Sequence, residues 1–146
     1  DVHMSRGLGD VYKRQYLDVV YVPTERVERN DTTQYWFKTK ESLPDDLALH
    51  HSVLAYISDM GPLQATIQPH DLNAPKLEDR KRKVLMATID HAVWFHRPFR
   101  ADDWLFYECR AQSTGNGRGL AYGRIYAQDG TLVASTSQEG LLRLRR

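Results

Sequence analysis

The sequence has 146 residues, 41% hydrophobic and 27% charged, which fits one globular domain able to bury roughly 70% of its unfolded surface. Lys plus Arg number 20 against 19 Asp plus Glu, a net charge of +1 that excludes the basic field of a general nucleic-acid binder. The single cysteine, Cys109, cannot close an internal disulfide, no apolar run reaches the ~18 residues of a membrane-spanning helix, and no secretory signal opens the chain. These features predict a soluble cytoplasmic protein without nucleic-acid or membrane partners.

Residues 1–15 show neither strand nor helix periodicity and read as an unstructured or foreign lead-in, leaving residues 16–146 as the expected domain. Residues 16–22 are rich in β-branched and aromatic side chains and stop at Pro23, which predicts a strand. Residues 34–40 predict a second. Ser42-Leu43-Pro44-Asp45-Asp46 then signals a helix start, with two acids where the helix dipole favours negative charge. The helix is expected over residues 45–59. Its apolar residues leave only a narrow polar side, which predicts burial around most of its circumference.

Gly61-Pro62 opens what reads as a long connection, ending in the basic run Arg80, Lys81, Arg82 and Lys83. Strands are expected at residues 84–95, 104–111, 119–127 and 132–142, the last three joined by hairpin turns at Asn116-Gly117 and Asp129-Gly130. Gly119, Ala121 and Gly123 share one strand face and would let a helix lie close to the sheet. A single helix wrapped by a curved antiparallel sheet, an α+β architecture, is the simplest arrangement that buries such a helix.

Several chemistries find no support. There is no Gly-x-Ser-x-Gly nucleophile turn, no cysteine pair and no His-Glu-x-x-His, so neither a metal nor a cofactor is expected. Gly115-Asn116-Gly117-Arg118-Gly119 resembles a phosphate loop, but lies between two strands and reads better as a hairpin turn. His50 and His51 could act as a base or be packed histidines. Cys109 could be a nucleophile or a small buried apolar residue, and the basic run could steer an anion or be solvated. Asp59 closes the helix at the unfavourable end of the dipole. Burial there would raise its pKa and suit a general base, while a solvated helix-ending aspartate is the plainer reading.

The segment from His50 to Asp59, the strand Ala87-Thr88-Ile89-Asp90-His91-Ala92-Val93-Trp94-Phe95-His96-Arg97-Pro98-Phe99-Arg100 and the words Asp103-Trp104-Leu105-Phe106-Tyr107-Glu108-Cys109, Gly117-Arg118-Gly119-Leu120, Gln128-Asp129-Gly130-Thr131-Leu132-Val133-Ala134-Ser135 and Gln138-Glu139-Gly140 resemble the acyl-CoA thioesterase II family. The likeness extends from about Tyr16 to the C-terminus and is to that family's second domain. It implies a hotdog fold, a helix inside an antiparallel sheet. It also implies hydrolysis of fatty acyl-CoA to free acid and CoA, with Asp59, Thr88 and Gln138 holding the attacking water. On strand alternation Thr88 is expected to share a face with Asp90 and Trp94, and Gln138 with Ala134 and Thr136.

Members of the family carry two hotdog domains, so the resemblance implies a second hotdog as partner. Either two copies of this chain self-associate or an N-terminal half is missing. The ending Arg143-Leu144-Arg145-Arg146 does not match the Ser-Lys-Leu signal of peroxisomal relatives. Two other readings stand beside hydrolysis: a non-catalytic acyl-CoA-binding or dimerisation half, and a hydratase that would use His91 or His96 beside a carboxylate.

Overall fold

The structure, a computed structural model, describes residues 15–70 and 84–145. The lead-in at residues 1–14 and the basic run at 80–83 lie outside the described residues. In chain order the elements are β1 (Leu17–Tyr21), a short 3-10 turn (Thr24–Arg26), β2 (Thr32–Thr39), helix α1 (Leu47–Ile57), helix α2 (Pro62–Ile67), β3 (Val84–Phe95), β4 (Leu105–Gly115), β5 (Arg118–Ala127) and β6 (Leu132–Leu144). The strands form one six-stranded sheet in the order β1-β2-β4-β5-β6-β3, antiparallel at every pairing. The sheet curves around the helical side, the α+β hotdog arrangement expected from the sequence.

Both predicted hairpin turns form. Asn116 and Gly117 have φ of 53° and 70°, the paired positive values that a two-residue type I′ turn requires, and Gly115 pairs with Arg118 across it. The phosphate-loop reading of this segment therefore fails. At the second turn the Asp129 carboxylate accepts from the Thr131 N–H at 3.0 Å while Gly130 takes φ of 89°.

Helix α1 starts where the sequence signals it. Asp46 is the N-cap, its carboxylate accepting from the Ala48 N–H at 3.1 Å. Asp45 is paired with Arg100, which also forks onto Asp102 at 2.9 and 3.0 Å. Asp102 in turn accepts from the Leu43 N–H at 2.8 Å. This knot ties the entry of α1 to the loop before β4.

The burial expected around most of α1 is not met. His50, Leu54 and Ile57 form one buried stripe, at the i, i+4, i+7 spacing, while Leu47 and Tyr56 are 46% and 55% exposed. One curved sheet covers one side of a helix and leaves the other open. The connection expected after Gly61-Pro62 also begins differently, with helix α2, in which Pro62, Leu63, Ala65, Thr66 and Ile67 are all buried. Proline is tolerated there because the first helical N–H has no intrahelical partner.

The small face of β5 has the predicted purpose, but α2 is the helix it admits. A side chain at Gly119 would come within 2.6 Å of the Thr66 hydroxyl, and one at Gly140 of β6 within 2.6 Å of Leu63. Tyr35, Phe37, Leu54, Ile57, Leu105, Tyr107 and Ile125 fill the centre of the core, each with less than 2% of its surface accessible.

Candidate active site

Asp59 lies two residues past the end of α1, in the tight connection Ser58-Asp59-Met60-Gly61 that leads into α2. Gly61 takes φ of 105°, the left-handed geometry that lets the chain turn so sharply. Two buried tyrosines from neighbouring strands grip this connection. Tyr107 Oη of β4 donates to the Ser58 carbonyl at 2.7 Å, and Tyr35 Oη of β2 donates to the Met60 carbonyl at 2.8 Å. The backbone is thus held on both sides of Asp59. Burial raises the pKa of both phenols well above the ordinary value, so they remain protonated donors. The Tyr107 oxygen lies 2.8 Å from the Thr136 hydroxyl, and since its one hydrogen is spent on Ser58, Thr136 is the donor there.

Thr88 and Gln138 come to Asp59 from the sheet. Gln138 is 1% exposed and directs both amide hydrogens at the other two residues, Nε2 lying 2.9 Å from Asp59 Oδ1 and 2.8 Å from Thr88 Oγ1. The Thr88 hydroxyl is also directed at Asp59 Oδ1, at 3.4 Å. Residues separated by 29, 50 and 79 positions therefore meet in one triangle.

The face assigned to Thr88 from simple alternation is corrected. A β-bulge between Thr88 and Asp90 inserts Ile89 without a partner, so Thr88 pairs with Gly140 and His91 with Gln138, while Asp90 pairs with Glu139 and Trp94 with Ser135. Thr88 consequently faces inward with His91 and Val93, and not with Asp90 and Trp94. Gln138 shares the inner face with Ala134 and Thr136, as expected. Of the two readings open for Asp59, a buried base or a solvated helix-ending carboxylate, the exposed position is the one observed. Both Asp59 and Thr88 are exposed in the single chain, because the turn and the edge strand β3 sit at the rim of the sheet.

The other candidates separate into packed and exposed groups. His50 has both ring nitrogens committed, Nδ1 accepting from the Ala101 N–H at 2.9 Å and Nε2 donating to the Pro44 carbonyl at 2.9 Å. His51 stacks on Phe95 at 4.0 Å between ring centroids. Cys109 is fully buried and its thiol is pushed up to about 12 by burial, which leaves it inert. His96, exposed, bonds the Ser135 hydroxyl at 2.8 Å. His91 lies beside the triangle, its Nε2 2.7 Å from the Ser58 hydroxyl.

Tyr35, Tyr107 and Ser58 were not predicted as site residues. The available signal was a tyrosine in the middle of a buried strand face, whose hydroxyl must find a partner somewhere in the interior.

The profile of the acyl-CoA thioesterase family matches residues 15–141. Acyl-CoA thioesterase 2 of Haemophilus influenzae is 40% identical over 108 residues, 74% of this chain and 36% of that protein. Human acyl-coenzyme A thioesterase 8 is 36% identical over 126 residues, 84% of this chain and 37% of that one. The solved structure of acyl-CoA thioesterase II from Mycobacterium marinum matches with a TM-score of 0.79 at 36% identity, covering 92% of this chain and 51% of the other. The chain thus spans little more than a third of these curated relatives and about half of the solved one.

Proposed function

Since the chain belongs to the acyl-CoA thioesterase family, we propose that it hydrolyses fatty acyl-CoA to free fatty acid and CoA, with Asp59, Thr88 and Gln138 as the catalytic residues. The observation that carries this reading is the Gln138 amide bonded at once to Asp59 and Thr88. A carboxylate, a hydroxyl and an amide converging on one point can orient a water for attack. Asp59 takes a proton from that water as its oxygen adds to the thioester carbonyl. The tetrahedral oxyanion then collapses, the C–S bond breaks, and the sulfur leaves with its electron pair. A thiol pKa of roughly 8.5 makes the thiolate a competent leaving group near neutrality, so no covalent acyl-enzyme is needed. The transferred proton ends on the CoA thiolate or in solvent.

The partner in this reading is a second hotdog domain, supplied by another copy of the chain or by an N-terminal half. The support is the edge strand β3, whose Leu85, Ile89, Trp94 and Phe95 are all exposed in the single chain. A long apolar sheet edge is a surface that native proteins normally cover. A neighbour there would also close the open side of Asp59 and Thr88 and complete a groove for the acyl chain. Residues 16–146 act as one hotdog unit in this assembly. Among the described residues no helix is long and apolar enough to cross a membrane, and a cytoplasmic location fits the reduced, buried Cys109.

The test is thiol release from medium- and long-chain acyl-CoA by the purified chain beside Asp59→Asn, with the oligomeric state measured by sedimentation. Turnover lost in the variant, from a dimer or larger assembly, is the expected result. A folded chain that binds acyl-CoA without turnover would instead support the non-catalytic half.

A further inference from the structure

Among the described residues, two buried polar atoms beside the triangle have no hydrogen-bond partner: Oε1 of Gln138 and Nδ1 of His91. Their residues face each other in the β3–β6 register, both on the inner face because of the bulge at Ile89. Directly opposed residues of an antiparallel pair have Cβ atoms about 4.5–5.5 Å apart, within easy reach of both side chains.

Hydrogen accounting determines what these two atoms are. The Ser58 hydroxyl donates its single hydrogen to the Ala55 carbonyl at 2.7 Å, so its 2.7 Å contact with His91 Nε2 requires the imidazole to be the donor. Neutral His91 then carries its hydrogen on Nε2 and a lone pair on Nδ1. Gln138 spends both amide hydrogens on Asp59 and Thr88, so its remaining polar atom is a carbonyl oxygen. Two acceptors side by side cannot satisfy one another. One water, donating a hydrogen to each, satisfies both.

We propose that His91 is a positioning residue for the hydrolysis proposed above. Anchored to Ser58 through Nε2, it holds through Nδ1 a structural water whose other hydrogen goes to Gln138 Oε1. The water locks the amide with its NH2 group toward Asp59 and Thr88. Without that anchor the amide is free to turn over, presenting an oxygen to the Asp59 carboxylate in place of a donor. This water lies on the carbonyl side of the Gln138 amide and is distinct from the attacking water, which lies on the side of Asp59 and Thr88.

The test uses His91→Phe, which keeps a ring but removes both nitrogens, and His91→Asn, which can return an acceptor close to the position of Nδ1. Nitrogen NMR on the whole chain should find His91 in the Nε2–H form. The Gln138 side-chain amide protons should exchange at least about tenfold faster in His91→Phe and recover protection in His91→Asn. In turnover, His91→Phe should lower kcat about tenfold with KM within about twofold, and should add nothing to Gln138→Ala in a double-mutant cycle. An Nδ1–H tautomer overturns the proposal, as does unchanged Gln138 protection in His91→Phe, or multiplicative losses in the cycle. Should His91→Phe not fold, the wild-type tautomer and the His91→Asn amide exchange decide alone. The expected NMR results without any thiol release would leave the positioning role standing and overturn the hydrolase reading instead.

Discussion

Tyr107 donates from its hydroxyl to the Ser58 carbonyl across a sequence separation of 49 residues, one peptide unit ahead of Asp59. The position of an exposed carboxylate is thus set by a phenol at the centre of the core. With Tyr35 bonded to the Met60 carbonyl on the other side, Asp59 projects from a backbone that can neither lift away from the sheet nor slide along it.

Tyr107→Phe removes one donor to Ser58 and one acceptor for Thr136 while keeping the ring. It should cost about 1–3 kcal/mol of stability, because a buried carbonyl loses its partner. It should also lower kcat by on the order of 10-fold, with KM little changed, since small displacements of a reacting group are costly. Denaturant midpoints and steady-state thiol release measure the two effects separately. Tyr35→Phe should behave alike; an unchanged kcat in both variants would mean that the tyrosines hold the fold and not the carboxylate.

Gly123 provides a packing test. A methyl group there would lie 2.3 Å from the Thr136 hydroxyl oxygen and 2.4 Å from the Tyr107 ring. Gly123→Ala should destabilise by about 1–3 kcal/mol through overpacking, and should depress turnover by displacing Tyr107. Gly115→Ala, where nothing lies within 4 Å, should shift stability by no more than about 0.5 kcal/mol. Thermal melts of the pair give the comparison directly.

The Arg100 guanidinium, helped by the Leu43 N–H, holds the Asp102 carboxyl down from 3.8 to about 2. A carboxyl lowered by folding adds stability that is fully present above 3.8 and lost as pH falls toward about 2. Asp102→Asn should therefore be less stable than the parent chain at neutral pH. The difference should shrink across that acid window, as read from urea midpoints at stepped pH. A difference that stays constant to the acid end would show that Asp102 acts by shape and not by charge.

Cys109 is fully buried, with its thiol at about 12. An aromatic disulfide reagent at mildly alkaline pH should leave it untouched in the folded chain and label one thiol once denaturant opens the core. Rapid labelling without denaturant would contradict the packing of β4 described above.

The fold is legible in the sequence where a local rule governs the structure. Strand alternation marks β4, in which Leu105, Tyr107 and Cys109 are buried between less buried neighbours, and Asn116-Gly117 marks a turn that needs two positive φ values. It is not legible where a long-range contact overrides a local pattern. Helix α2 is six residues long, too short to show periodicity, and is held by the space that Gly119 and Gly140 leave for it. The openness of one side of α1 follows from how far the sheet wraps, which no residue of the helix encodes. The resemblance singled out Asp59, Thr88 and Gln138, which do converge. The tyrosines behind Asp59 carry no such mark, because a strand tyrosine looks the same in sequence whether its hydroxyl meets water or a carbonyl.

The unpaired Ile89 changes the parity of β3, so the strand is written in two reading frames. Val84, Met86 and Thr88 point inward in the first, and His91, Val93 and Phe95 in the second. The extra residue is what puts Thr88 and His91, three positions apart, on the same face. Deleting Ile89 would merge the two frames into one plain alternation, with Thr88, His91, Val93 and Phe95 still inward, whereas exchanging the half-exposed Ile89 for another side chain would leave both frames as they are.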